Sequence, residues 1–215
     1  MKVKRVYMYT LYERIWHWLQ VLLIGLLLIT GIEIHWPALH LFGFQRAVEL
    51  HNVLAFIMIA NAFLSLFYHL TTGEIRQFLP EPRELFGLMA KQARYYLQGI
   101  FRHQPHPLAR DPKRKLNPLQ QITYLALLNI LLPLQVVSGL LMWGTQSYPG
   151  LLEPLGGLGW LAALHTLVAW LLFCFIIAHV YLTTTGRTPL ALIRAMITGY
   201  EDLPQSEPQP EEAQP

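Results

Sequence analysis

One cysteine, Cys174, stands in 215 residues, so the chain has no intramolecular disulfide, no Cys-x-x-Cys-His for covalent cofactor attachment and no iron-sulfur ligand set. Charge is equally scarce. Only 13% of residues are Asp, Glu, Lys or Arg against 53% hydrophobic, and the apolar residues come in long blocks rather than amphipathic stripes. The short alternating segments of a membrane barrel are missing, which excludes strands as the spanning element. No repeat at a fixed period is visible, and nothing divides the chain into two domains. The net charge of +3 follows membrane topology and gives no reason to expect nucleic acid.

What is present is four apolar runs, about Ile15 to Ile34, Val53 to Leu70, Ile122 to Trp143 and Trp160 to Tyr181, each near the roughly 20 residues a spanning helix needs. Backbone polar groups in lipid must be satisfied internally, so the fold class expected is all-α, an integral membrane four-helix bundle over residues 1–203. Four Lys or Arg precede or open the first run, nine lie between the second and third, two follow the fourth, and only Arg46 falls on the other side. The positive-inside rule then puts both termini and the 71–118 segment in the cytoplasm. The basic start Met1-Lys2-Val3-Lys4-Arg5 reads as a retained first span rather than a cleaved signal. Residues 204–215, rich in Pro and Glu, read as a disordered tail, and Arg83 to Ile100 as a surface helix. Pro133 is expected to bend the third span, and Gly25, Gly31, Gly139 and Gly144 to admit close approach.

Histidine carries the functional signal. His165 and His179 are fourteen residues apart in a stretch with no charged residue, a rise of roughly 21 Å that returns to nearly the same helix face. An imidazole in hydrocarbon needs a partner, and haem iron supplies one. His17 opens the first span at the depth of His179, and His51 opens the second at the depth of His165. Depth alone thus forms two pairs, suited to two noncovalent, six-coordinate b haems stacked across the bilayer. His69, five whole turns after His51, competes with His17 as the inner ligand, or contacts a propionate or a quinone. His35, His40, His103 and His106 read as surface residues.

The sequence resembles the four-helix di-haem cytochrome b subunits of bacterial formate dehydrogenases, nickel-iron hydrogenases and thiosulfate reductases. The marks are Arg14-Ile15-Trp16-His17-Trp18, Thr30-Gly31, His51, the run from Asn117-Pro118 to Thr123-Tyr124, Ser138-Gly139-Leu140, and the His165/His179 pair. The resemblance covers nearly all of residues 8–185. It implies that His17 and His179 hold the inner haem and His51 and His165 the outer one. It further implies a quinone beside the inner haem, fixed in part by the residue matching Asn117, although Leu119 stands where formate dehydrogenase subunits carry Gly. From the residues alone Asn117-Pro118 is an ordinary helix cap, and Arg14 is either a propionate partner or a positive-inside anchor.

The function expected is a bacterial inner-membrane subunit that moves electrons between a quinone pool and an exoplasmic redox partner carrying haem or iron-sulfur centres. The short outer loops leave no room for catalytic machinery. They present Glu33, Glu49 and Glu153 with Trp36, Phe42, Phe44 and Tyr148, which suits a docking face. The alternatives are a free-standing haem b quinone oxidoreductase and, from another class, a haem-free His-dependent transporter.

Overall fold

The computed structural model describes residues 3–80, 84–102, 104, 107, 108, 112 and 114–204. His103, His106, the start of the expected surface helix at Arg83 and the tail from residue 205 on lie outside the described residues. Four helical stretches are long and apolar enough to cross a membrane: α1 (Leu11–His35), α2 (Phe44–Thr72), the run Pro118–Gly144, and α6 (Leu158–Thr183). The third is composite, with α4 (Pro118–Ala126), a π turn (Leu127–Leu131) and α5 (Leu132–Gly144). Pro133 has no N–H to give and its ring crowds the carbonyl one turn back, so the expected bend takes the form of this widened turn just ahead of the proline.

The helices start where capping chemistry allows. Thr10 and Glu13 form a reciprocal box, with Glu13 N donating to Thr10 Oγ1 at 3.2 Å and Thr10 N to Glu13 Oε2 at 2.7 Å. Asn117 and Gln120 repeat it at α4, with bonds of 2.9 and 3.0 Å. At the other end of the bundle, the buried carboxylate of Glu33 accepts the amides of Phe42 and Gly43 where α2 begins. Glu33 is fully buried, which removes it from the acidic surface expected of the outer loops.

Backbones pack closely within two hairpins, α1 on α2 and α5 on α6. Across the hairpins the contacts are carried largely by rings, Trp36 on Trp170 and Phe56 on Trp143 among them. Most of each span faces outward, as a lipid-facing surface requires.

The segment between α2 and α4 returns along the bundle end through α3 (Leu85–Arg94), which packs on α4. A polar seam ties it down: Lys115 Nζ meets Glu13 Oε1 at 2.6 Å and Glu74 Oε2 at 3.3 Å, and Gln121 Nε2 donates to the carbonyls of Gln77 and Leu79. Burial of Lys115 works against its charge, yet the bonds and charges of Glu13 and Glu74 outweigh it and hold the ammonium above the usual lysine pKa.

The sequence excludes strands only as spanning elements and gives no sign of a two-stranded ribbon that lies outside the spans. Strand β1 (Val3–Tyr7) pairs antiparallel with β2 (Tyr200–Pro204), Val3 opposite Pro204 and Tyr7 opposite Tyr200. Pro204 therefore ends a strand rather than opening the tail. Gly199 leads from α7 (Ala191–Thr198) into β2 at φ +87°, and a Cβ there would strike the Tyr7 ring at 2.7 Å. Strands β1 and β2 and the α3 segment thus share one end of the bundle, the terminus end; the two short connections make the loop end.

Candidate functional site

Helix α6 positions two imidazoles, His165 in its third turn and His179 near its close, and each meets a ring from the other hairpin. His17 of α1 faces His179 with ring centroids 6.3 Å apart and planes inclined at 46°. His51 of α2 faces His165 at 6.4 Å and 71°. Both separations are informative. With a metal–imidazole bond of about 2 Å and about 1 Å more from nitrogen to ring centre, two imidazoles on one metal stand with centroids roughly 6 Å apart. Each pair thus stands at a spacing at which both rings could reach one metal atom, and all four histidines are partly exposed.

Local chemistry holds the loop-end rings firmly. Thr30 Oγ1 lies 2.9 Å from His51 Nδ1, and Ser138 Oγ lies 2.9 Å from His165 Nδ1. The residue after each hydroxyl is glycine. A Cβ on Gly31 would stand 3.3 Å from His51 Cε1, and one on Gly139 would stand 3.2 Å from His165 Cε1. The glycine hydrogen lets the imidazole edge lie against the neighbouring helix. Gly25 plays no comparable part, since a methyl group there would meet nothing within 4 Å, and Gly144 abuts only Leu151. Gln135 Nε2 lies 3.0 Å from His165 Nε2, while its Oε1 is buried without a partner.

The terminus-end pair is held differently. Tyr124 OH lies 3.2 Å from His179 Nδ1, and Phe175 stacks on the same ring at 5.8 Å. His17 Nδ1 and the adjacent Trp16 Nε1 are buried with no partner, as is Asn61 Nδ2 on α2. Unpartnered polar atoms are costly in an apolar bundle, and one of these, His17 Nδ1, belongs to a paired ring.

His69 stands apart from both pairs. Its Nδ1 donates to its own helix at Ser65 O, 2.7 Å away, and Trp16 and Phe78 pack edge-on against a ring that is only 7% exposed. Arg14 bonds the carbonyls of Ile197 at 2.7 Å and Thr10 at 3.4 Å, and Trp18 Nε1 bonds Met196 O at 3.0 Å. Together they fasten the last carbonyls of α7 to α1, a role the sequence reading did not foresee. Asn117 spends its Oδ1 on the cap of α4 and gives Nδ2 to Tyr96 OH at 3.0 Å. His35 and His40 are exposed, and so are Glu49 and Glu153.

Family membership decides between the classes left open by the sequence. Residues 8–199 match the model of the prokaryotic cytochrome b561 family. The chain belongs to that family. It is 31% identical over 201 residues to a protein of Escherichia coli named as a putative cytochrome YdhU, covering 92% of this chain and 75% of that one. It is 26% identical over 224 residues to a protein of Cupriavidus necator named as a probable Ni/Fe-hydrogenase B-type cytochrome subunit, covering 92% and 87% respectively. This b561-type cytochrome is accordingly a multi-pass bacterial membrane protein with haem b as its cofactor and electron transport as its work. The haem-free transporter falls away. The donor set fits the cofactor, since neutral imidazoles are common axial ligands and the single cysteine allows no thioether attachment of the Cys-x-x-Cys-His kind.

Proposed function

We propose that this b561-type cytochrome binds two b haems, one between His17 and His179 and one between His51 and His165, and passes electrons between a quinone at the terminus end and a redox protein docked at the loop end. The observation that carries this reading is the pair of facing imidazoles repeated at both ends of α6. The haems, when bound, supply reversible one-electron chemistry without a proton. The protein's own task is to hold four neutral rings, keep water from the bundle interior and set which nitrogen of each ring is free.

The Lys and Arg distribution supports a cytoplasmic terminus end. That end also gathers the polar groups a quinone needs, with Asn117, Tyr96 and the Lys115 seam side by side. The loop end presents exposed Trp36, Phe42, Phe44 and Tyr148 beside Glu49 and Glu153, an apolar face with an acidic rim fit for a separate electron carrier. The name of the hydrogenase-type relative points the same way.

Haem content and its dependence on histidine test the assignment. Purified protein should carry near two noncovalent haems per chain. His17→Ala or His179→Ala should remove the terminus-end haem and spare the other, while His51→Ala or His165→Ala should do the reverse. His69→Ala should leave both in place. Loss of a haem in His69→Ala with retention in His17→Ala would overturn the pairing. A partner reading fails if the native protein exchanges electrons with small donors at full rate and co-purifies with no redox subunit.

A further inference from the structure

Thr30 and Ser138, each only 2% exposed, have a property beyond proximity to the loop-end rings: their own protons are already committed. Thr30 Oγ1 donates back to Leu26 O at 2.8 Å, and Ser138 Oγ donates to Leu134 O at 2.6 Å. A hydroxyl has one proton. Each oxygen can therefore meet imidazole Nδ1 only as an acceptor, so Nδ1 of His51 and of His165 carries the hydrogen and Nε2 presents its lone pair. No such fixed acceptor serves the terminus-end pair: His17 Nδ1 is without a partner and His179 Nδ1 meets a phenol able to play either part.

We propose that Thr30 and Ser138 are the positioning residues of the loop-end centre, fixing the tautomer and plane of both its ligands and lowering its midpoint potential. This rests on His51 and His165 being its ligands. A hydrogen bond from Nδ1–H raises the basicity of Nε2, and a hydroxyl that is itself donating is the stronger acceptor. A more basic ligand on each side favours the more oxidised iron, so the two bonds act in the same direction.

Ser and Thr commonly bond back to their own helix in membrane spans, so packing alone would also place these hydroxyls. A redox readout separates the two roles. Thr30→Val and Ser138→Ala remove the hydroxyl acceptor and leave only the backbone carbonyls of Leu27 and Gln135 to receive a ring N–H, while Thr30→Ser and Ser138→Thr keep it. In spectroelectrochemical titration of the full-length protein, the first two should shift the loop-end midpoint upward and leave the terminus-end midpoint unchanged. The second two should match wild type. Low-temperature EPR should agree, because ligand planes inclined at 71° give a strongly anisotropic low-spin signal that moves once a ring is free to turn. Loss of the loop-end haem in Thr30→Val but not in Thr30→Ser also supports the proposal. Unchanged midpoints with both haems bound, or equal effects in the hydroxyl-keeping variants, overturn it. Retention of that haem in His51→Ala would instead sink the ligand assignment on which it rests.

Discussion

The Gly43 amide donates to the Glu33 carboxylate across 2.8 Å, joining the end of one spanning helix to the start of the next. With the Phe42 amide bonded to the same fully buried group, one side chain satisfies both amides just ahead of α2.

Glu33→Ala should therefore cost about 2 to 4 kcal/mol, the penalty for leaving buried donors unpaired, and Glu33→Gln clearly less because one oxygen still accepts. His51 lies two turns into α2, so the loop-end haem should loosen as well. Thermal unfolding in detergent, followed together with haem retention, checks both. No change in Glu33→Ala would show that the amides find other partners.

The Lys115 and Glu13 pair should be costly to break on one side only. Lys115→Met alone strands a buried carboxylate and should destabilise by about 3 to 5 kcal/mol, while adding Glu13→Gln should return much of the loss. The pH dependence follows from the raised lysine pKa. Stability gained by the bonded ammonium is complete below the unfolded value near 10.5 and fades as pH rises through the higher folded value. The gap between wild type and the double variant should thus be flat from neutral pH to about 10.5 and shrink above it.

Asn117 serves a cap and offers a donor, and two variants separate these duties. Asn117→Asp keeps the acceptor for Gln120 N but loses the amide that reaches Tyr96, whereas Asn117→Ala loses both and should cost about 1 kcal/mol in addition. If the amide orients a quinone, both variants should slow quinone-linked oxidation of the terminus-end haem several-fold with haem spectra intact. Slowing confined to Asn117→Ala would leave only the cap.

Gly31→Ala and Gly139→Ala each push a methyl against an imidazole edge at 3.3 or 3.2 Å, so the ring must shift by a few tenths of an ångström. The loop-end haem band should move while the other stays. Gly25→Ala, with open space around it, should be silent in the spectrum and gain about 0.5 to 1 kcal/mol of helix propensity. Equal spectral effects at all three glycines would contradict this division.

Much of the architecture was legible because lipid imposes it. Span length and the helical repeat suffice to bring His17 to the depth of His179 and His51 to that of His165, and the rings meet there. What escaped depends on partners remote in sequence. Glu33 looks like a surface acid until the Phe42 and Gly43 amides fold onto it, and Lys115 is one of several loop lysines until Glu13, 102 residues away, receives it. A quasi-repeat was also hidden. Each hairpin opens with a capping box, at Thr10 and at Asn117, and carries a hydroxyl and glycine further on that hold the first histidine of its second helix. From cap to hydroxyl is twenty residues in α1 but twenty-one in the third span, and the π turn at Leu127–Leu131 takes up the extra one. From hydroxyl to histidine is twenty-one residues in one hairpin and twenty-seven in the other, so no fixed period exists to be detected.

The ribbon between β1 and β2 imposes an order on biosynthesis. Its strands stand at the two extremes of the described chain, Val3 against Pro204, so it can close only after every span has been synthesised. Until then Tyr7 has no Tyr200 to pack against and α1 has no α7 to receive Arg14 and Trp18. The first helix can thus pack on α2 early, but its last fastening, at Arg14 and Trp18, waits on the closing segment.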